Sequence, residues 1–280
     1  MAGWVEVADA VFQRRYHPLD ISVCVVRGSD GLLLVDTRSS HREADEVVRD
    51  LATFGSAPVR WVVNTHAHFD HSFGNFRLGP ESPVGATIYG HERVPAHLDA
   101  YERPMLARWI ADGAEPLADW QEVVITPPTV LVGESMSLAL GDRVVELQHL
   151  GRGHTDNDLL LHVPDAAAWL VGDLLEESGP PMYGSGSFPL DWPQTVGRLC
   201  GLLEVGATLV PGHGAPVDAA FAAAQQADLQ AVADLVVELH AAGVPPERAV
   251  EAGGDRWPFP AAGMTRAVED GYRRLRPGPS

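Results

Sequence analysis

Four times in this chain a short run rich in Val and Leu stops at a turn and is followed at once by residues that bind metals. Val59–Val63 precedes His66-Ala67-His68-Phe69-Asp70-His71. Val144–Leu150 leads through Gly151 and Gly153 to His154, Ala168–Val171 leads into Gly172-Asp173, and Thr208–Val210 leads into Pro211-Gly212-His213-Gly214. Short runs of this kind read as buried strands. The repeated order predicts a rigid sheet scaffold whose strand ends, along one edge, carry loops of reactive side chains that still meet solvent. The glycines let the backbone turn tightly beside those side chains.

Three imidazoles and a carboxylate within six residues suit zinc, iron or manganese. Two cations about 3.5–4 Å apart can share one water, lower its pKa toward neutrality and polarise a carbonyl oxygen. In such chemistry Asp70 can be both a ligand and the acceptor of the nucleophile's proton. No Gly-x-Ser-x-Gly elbow is present, so no serine nucleophile is indicated.

Taken in chain order, His66-x-His68-x-Asp70-His71, His154, Asp173 and His213 resemble the ligand segments of the metallo-β-lactamase superfamily, over roughly residues 20–215. The resemblance implies an α+β fold, a four-layer αββα sandwich with a two-metal site on one edge. It implies that His66, His68 and His154 hold one metal, that Asp70, His71 and His213 hold the other, and that Asp173 bridges them. The expected cofactor is two zinc ions, with iron or manganese as alternatives. The expected activity is hydrolysis of an ester, lactone, thioester or amide, β-lactams included. Asp173 stands where one group of true β-lactamases carries cysteine, and His71 where they commonly carry arginine. The all-His/Asp set is more similar to glyoxalase II, lactonases and other general hydrolases. Two other readings stay open. One is a mononuclear iron dioxygenase resembling the persulfide dioxygenases, with His66, His154 and Asp173 as ligands. The other is a non-catalytic metal-binding interaction protein.

Around these ligands, Asp36 closes the run Leu32–Val35 and is expected behind the site, where a ligating histidine needs an acceptor to fix its tautomer. Thr65, Thr155 and Asn157 are further candidates for that outer role. Tyr183 and Phe188, in the turn-rich stretch 178–191, are candidate substrate walls, and His17 is a candidate to reach over the metals. His41, His91, His97, His149, His162 and His240 read as ordinary surface or core histidines. Cys24 and Cys200 read as small core residues.

The net charge of −18, with no lysine, argues against nucleic acid as a partner. It points to a small neutral or modestly charged acyl substrate, unless Arg14, Arg15, Arg103, Arg108 or Arg152 reverses the field locally. The opening residues lack a basic segment followed by an apolar one, and no apolar run approaches membrane-spanning length, so a cytoplasmic protein without a membrane partner is expected. The 280 residues are read as one domain with a helical C-terminal segment over 216–275. Ser39 or Ser40 should cap a helix over 41–54, and Asp191 should cap another. A strand is expected at 84–89, broken helix over 91–120, two or three antiparallel strands over 129–149, and a long helix over 216–242.

Overall fold

All five residues of the strand Gly31–Val35 are buried, which requires cover on both faces of its sheet. The cover differs by parity, because successive strand residues point to opposite faces. Leu33 and Val35 pack against a second sheet, whereas Leu32 and Leu34 pack against helical residues Val47, Leu51 and Phe54. The same alternation recurs in the other sheet, where Ala168 and Leu170 face inward and Trp169 and Val171 face helices. The result is a four-layer αββα sandwich.

The computed structural model describes residues 3–276. The first sheet comprises β1 (Val5–Ala8), β2 (Val11–Tyr16), β3 (Ile21–Gly28), β4 (Gly31–Val35), β5 (Val59–Val63), β6 (Thr87–His91) and β7 (Val130–Val132), in that spatial order. It is antiparallel through β4 and parallel from β4 to β7. The second sheet comprises β8 (Ser135–Ala139), β9 (Val144–Gln148), β10 (Leu160–Val163), β11 (Ala168–Gly172) and β12 (Thr208–Pro211). Only its β11–β12 pair is parallel. The expectation of antiparallel strands throughout 129–149 is corrected at β7. That strand follows a helical crossover from β6 and so joins it in parallel. The chain then passes to the other sheet within Gly133-Glu134. The strand expected at 84–89 runs instead over Thr87–His91.

The first outer layer contains α1 (His41–Asp50), α2 (Phe69–Ser72), α3 (Asn75–Leu78), α4 (Val94–His97), α5 (Arg103–Asp112) and α6 (Leu117–Glu122). The second contains α7 (Trp192–Leu202), α8 (Ala219–Ala241), α9 (Pro246–Gly253) and α10 (Ala261–Leu275). Ser40 caps α1, its hydroxyl accepting from the Glu43 N–H, while Ser39 donates its own N–H to the Glu43 carboxylate at 3.1 Å. The last turn of the expected helix 41–54 is a 3₁₀ turn, Leu51–Phe54. Asp218 caps α8 by accepting from Phe221 N–H at 2.9 Å, so that helix starts three residues later than expected. Asp191 precedes α7 without a side-chain cap; its carboxylate pairs with Arg152 at 2.7 Å instead. Among the described residues no helix is long and apolar enough to cross a membrane.

Candidate metal centre

β5, β11 and β12 end on one edge of the sandwich, and their following residues converge there with His154, which enters from the loop between β9 and β10. Two close approaches require glycine. At Gly172, φ is +52° and a methyl would press on the Thr65 side chain; at Gly212 a methyl would collide with the Asp173 carboxylate.

The convergence falls into two triads. His66, His68 and His154 each offer a ring nitrogen within 4.8 Å of the others, and Asp70, His71 and His213 do the same with their own donor atoms. Asp173 lies between them. Its Oδ2 is 3.7 Å from His66 Nε2, 3.4 Å from His154 Nε2 and 3.5 Å from His213 Nε2, and its Oδ1 is 3.3 Å from His71 Nε2. Asp70 Oδ2 is 3.4 Å from His213 Nε2. His68 Nδ1 faces His154 Nε2 at 2.9 Å. Among the described residues His66 Nε2 and Asp173 Oδ1 are buried with no hydrogen-bond partner, whereas buried polar atoms in folded proteins are normally paired. Nitrogen lone pairs and carboxylate oxygens aimed at shared points are the donor set a divalent cation needs.

Hydrogen bonds on the far side fix which ring nitrogen faces inward. Asp36 Oδ2 accepts from His71 Nδ1 at 2.8 Å, leaving Nε2 for the cluster. Asp36 also accepts from the Thr65 N–H and the Thr65 hydroxyl, each at 2.8 Å. Thr65 Oγ1 in turn lies 3.1 Å from His66 Nδ1. Asp36 is held at φ +64°, a left-handed conformation that Asp tolerates better than most residues. His213 Nδ1 donates to the Leu19 carbonyl at 2.8 Å.

The electrostatics follow from burial against charge. Burial pushes His66 and His154 well below the usual histidine range, so both rings are neutral. Burial opposes charge on His71 and His213 as well, but the carboxylates together outweigh it, Asp173 first, with Asp36 and Asp70 at His71 and Asp70 at His213; His213 is pushed up to about 10. Burial would raise Asp173, yet His71, His213 and His66 hold it well below the usual carboxylate range. The cluster therefore attracts positive charge.

Some expected outer residues sit elsewhere. Thr155 contacts no ligand: its N–H and hydroxyl donate to Asp158 and fix the loop that carries His154. Asn157 bonds to the Ala67 N–H at 2.9 Å. Tyr183 lines a cavity of about 850 Å³ over the cluster, and its buried hydroxyl has no partner. Phe188 does not line that cavity; it is held between the guanidiniums of Arg274 and Arg152, 3.5 and 4.8 Å from its ring centroid. His17 lines a second cavity of about 470 Å³ rather than the metal cluster. Sequence reasoning missed Glu102 and Glu176, and set His97 aside. Glu176 lines the main cavity and is pushed up to about 7 by burial and then by Asp173. His97 is buried beside His68. None of the three belongs to a ligand-like spacing, so no sequence signal marked them.

A family model of the metallo-beta-lactamase superfamily matches residues 17–239. The chain belongs to this superfamily. It is 27% identical over 236 residues to the acyl-coenzyme A thioesterase MBLAC2 of Bos taurus, covering 74% of this chain and 79% of that one. It is 24% identical over 192 residues to a metallo-beta-lactamase type 2 of Bacillus sp. (strain 170), covering 68% and 65%. Among solved structures, a metallo-beta-lactamase from Pontibacter korlensis superposes with a TM-score of 0.66 at 18% identity, over 82% of this chain and 99% of that one. The sec-alkylsulfatase Pisa1 from Pseudomonas sp. superposes with a TM-score of 0.77 at 15% identity, over 98% of this chain and 50% of that one. As a member of the superfamily with intact His/Asp clusters, this protein is a hydrolase with a site suited to divalent metal.

Proposed function

We propose that the protein is a dinuclear zinc hydrolase of small acyl compounds, with acyl thioesters the leading substrate class. The observation that carries this reading is the position of Asp173, whose two oxygens lie 3.3–3.7 Å from ring nitrogens of both triads. In it His66, His68 and His154 hold one ion, Asp70, His71 and His213 hold the second, and Asp173 serves both. Two such ions, when bound, supply an activated water and an electrophile for the carbonyl oxygen. Asp70, at the cavity floor, accepts the proton released by the attacking water. Tyr183 offers an unpartnered hydroxyl to the negative charge that grows on the substrate oxygen.

The cavity supports an acyl substrate. Leu19, Phe69, Met105, Pro181 and Met182 give it apolar walls around the polar floor. Leu19 and Phe69 also line the second cavity, together with Trp109 and Trp120. The likeness to an acyl-coenzyme A thioesterase favours the thioester among carbonyl substrates. Arg108 and Arg266 line the main cavity and form no ion pair among the described residues. Arg14, Arg15, Arg103 and Arg152 are instead neutralised by Asp50, Asp20, Asp99 and Asp191. A modest anionic tail on the substrate is therefore tolerated at the mouth despite the net charge of −18.

The test is a side-by-side assay of zinc-loaded protein on an acyl thioester, an aryl ester, a lactone, a β-lactam, a phosphodiester and single-stranded RNA. The reading requires the thioester to be turned over fastest. Faster cleavage of the phosphodiester or RNA than of every acyl compound refutes it.

A further inference from the structure

A chain of polar groups, with one longer contact between His97 and Glu102, begins and ends on the loop that carries His66 and His68. The Ala67 N–H donates to Asn157 Oδ1 at 2.9 Å, and this fixes the orientation of the Asn157 amide. Asn157 Nδ2 must then donate to His97 Nδ1, 3.1 Å away, so the His97 proton resides on Nε2. That N–H faces Glu102 Oε1 at 3.6 Å. The same oxygen accepts from the Ser185 hydroxyl at 3.3 Å. The Ser185 carbonyl accepts from His68 Nε2 at 2.9 Å, which leaves His68 Nδ1 free to face the cluster.

Glu102 is the unusual member. It is 0% exposed, its Oε2 has no partner, and no arginine reaches it. It sits at the end of a π-helical turn, Leu98–Glu102, and is turned inward between the exposed Tyr101 and Arg103. A buried carboxylate without a cation is costly to keep. The cation that would offset the cost is one held by the first triad, reached through His68.

We propose that Glu102 is a positioning residue for His68, acting through Ser185, and that it sets the affinity of the first metal position. This rests on the reading of His68 as a metal ligand. When His68 Nδ1 binds a cation, its Nε2–H becomes a stronger donor, and the Glu102 charge behind Ser185 strengthens the acceptor side. His97, oriented by Asn157, lies beside the carboxylate.

Glu102→Gln tests this without emptying the site. The Gln oxygen can keep the Ser185 hydroxyl as its donor, and its amide takes the place of the unpartnered Oε2. Two readouts are needed, zinc affinity by chelator competition and the melting temperature of the metal-free protein. Glu102→Gln should weaken one zinc position about 10–100-fold and leave the other within a few-fold. The metal-free variant should melt no lower than wild type, because a buried carboxyl with an unpartnered oxygen has been replaced by an amide of the same shape. Ser185→Ala, which keeps the carbonyl, should weaken the same position by less. Equal zinc affinities in wild type and Glu102→Gln, or equal loss at both positions with a lower metal-free melting temperature, would overturn the role of Glu102 alone. A wild-type protein that binds no zinc at the first triad would overturn this proposal together with the metal reading beneath it.

Discussion

Asp36→Asn isolates the control of one histidine tautomer. Asparagine tolerates the left-handed backbone at φ +64°, so the turn after β4 should survive. Its carbonyl oxygen can still accept from the Thr65 N–H, as Asp36 Oδ1 does at 2.8 Å. What changes is the other position, where Oδ2 now accepts from His71 Nδ1 and the Thr65 hydroxyl, both at 2.8 Å. An amide NH2 there is a donor. His71 must answer with an Nδ1 lone pair, which moves its proton to Nε2, the atom that faces Asp173 at 3.3 Å. A ring so protonated has no lone pair for a metal. The loss is one hydrogen bond to a charged group, worth about 1.5–3 kcal/mol, or roughly 10–150-fold in affinity. Chelator competition should show the zinc position at Asp70, His71 and His213 weakened by that factor. The position at His66, His68 and His154 should hold within a few-fold, because Asp36 reaches it only through Thr65. Unchanged affinity at both positions in a folded Asp36→Asn protein would show that the carboxylate does not set the His71 tautomer.

Asp173→Ala leaves two cations facing each other unscreened, so metal analysis should find one position emptied; full occupancy of both would remove Asp173 from the bridge. His213 in the metal-free protein is raised from an ordinary value of 6.5 to about 10. Its stabilising contribution is therefore complete below about pH 6.5 and lost as pH rises through about 10, so the metal-free melting temperature should fall across that window. Zinc must displace the protons on His71 and His213, so calorimetry in buffers of different ionisation heat should show proton release on binding near pH 7, and no release would contradict the charge assignment. Alkylation should spare activity while zinc stays bound, because Cys24 is buried with its thiol pushed up by burial and Cys200, on α7, does not line the cavity over the cluster; inactivation at full metal occupancy would point to thiol chemistry.

The candidate ligand segments stood out in sequence because each follows a strand, and strand ends are where a sheet can present side chains without disturbing its own packing. Asp36 was readable for the same reason. The fully apolar strands β4 and β11 also stood out, since burial on both faces leaves few polar residues to confuse the pattern. β7 did not, because three residues carry no record of the sheet they join. Glu102, His97 and Glu176 were not readable either. Each lies alone in its segment and gains meaning only when α4, the π turn after it and the 178–185 loop fold over the first triad. Phe188 misled for the converse reason: an aromatic in a loop after Asp173 suggests a wall, but two arginines distant in sequence hold it away from the cavity.

The number and place of the metals decide between a dinuclear and a mononuclear centre. Anomalous diffraction from crystals of the zinc-loaded protein, recorded on both sides of the zinc edge, locates each ion without reference to activity. Two peaks about 3.5–4 Å apart, one among His66, His68 and His154, the other among Asp70, His71 and His213, with the Asp173 carboxylate between them, are the result expected. A single peak at the first triad, with His71 and His213 free of metal at saturating zinc, would contradict the dinuclear site.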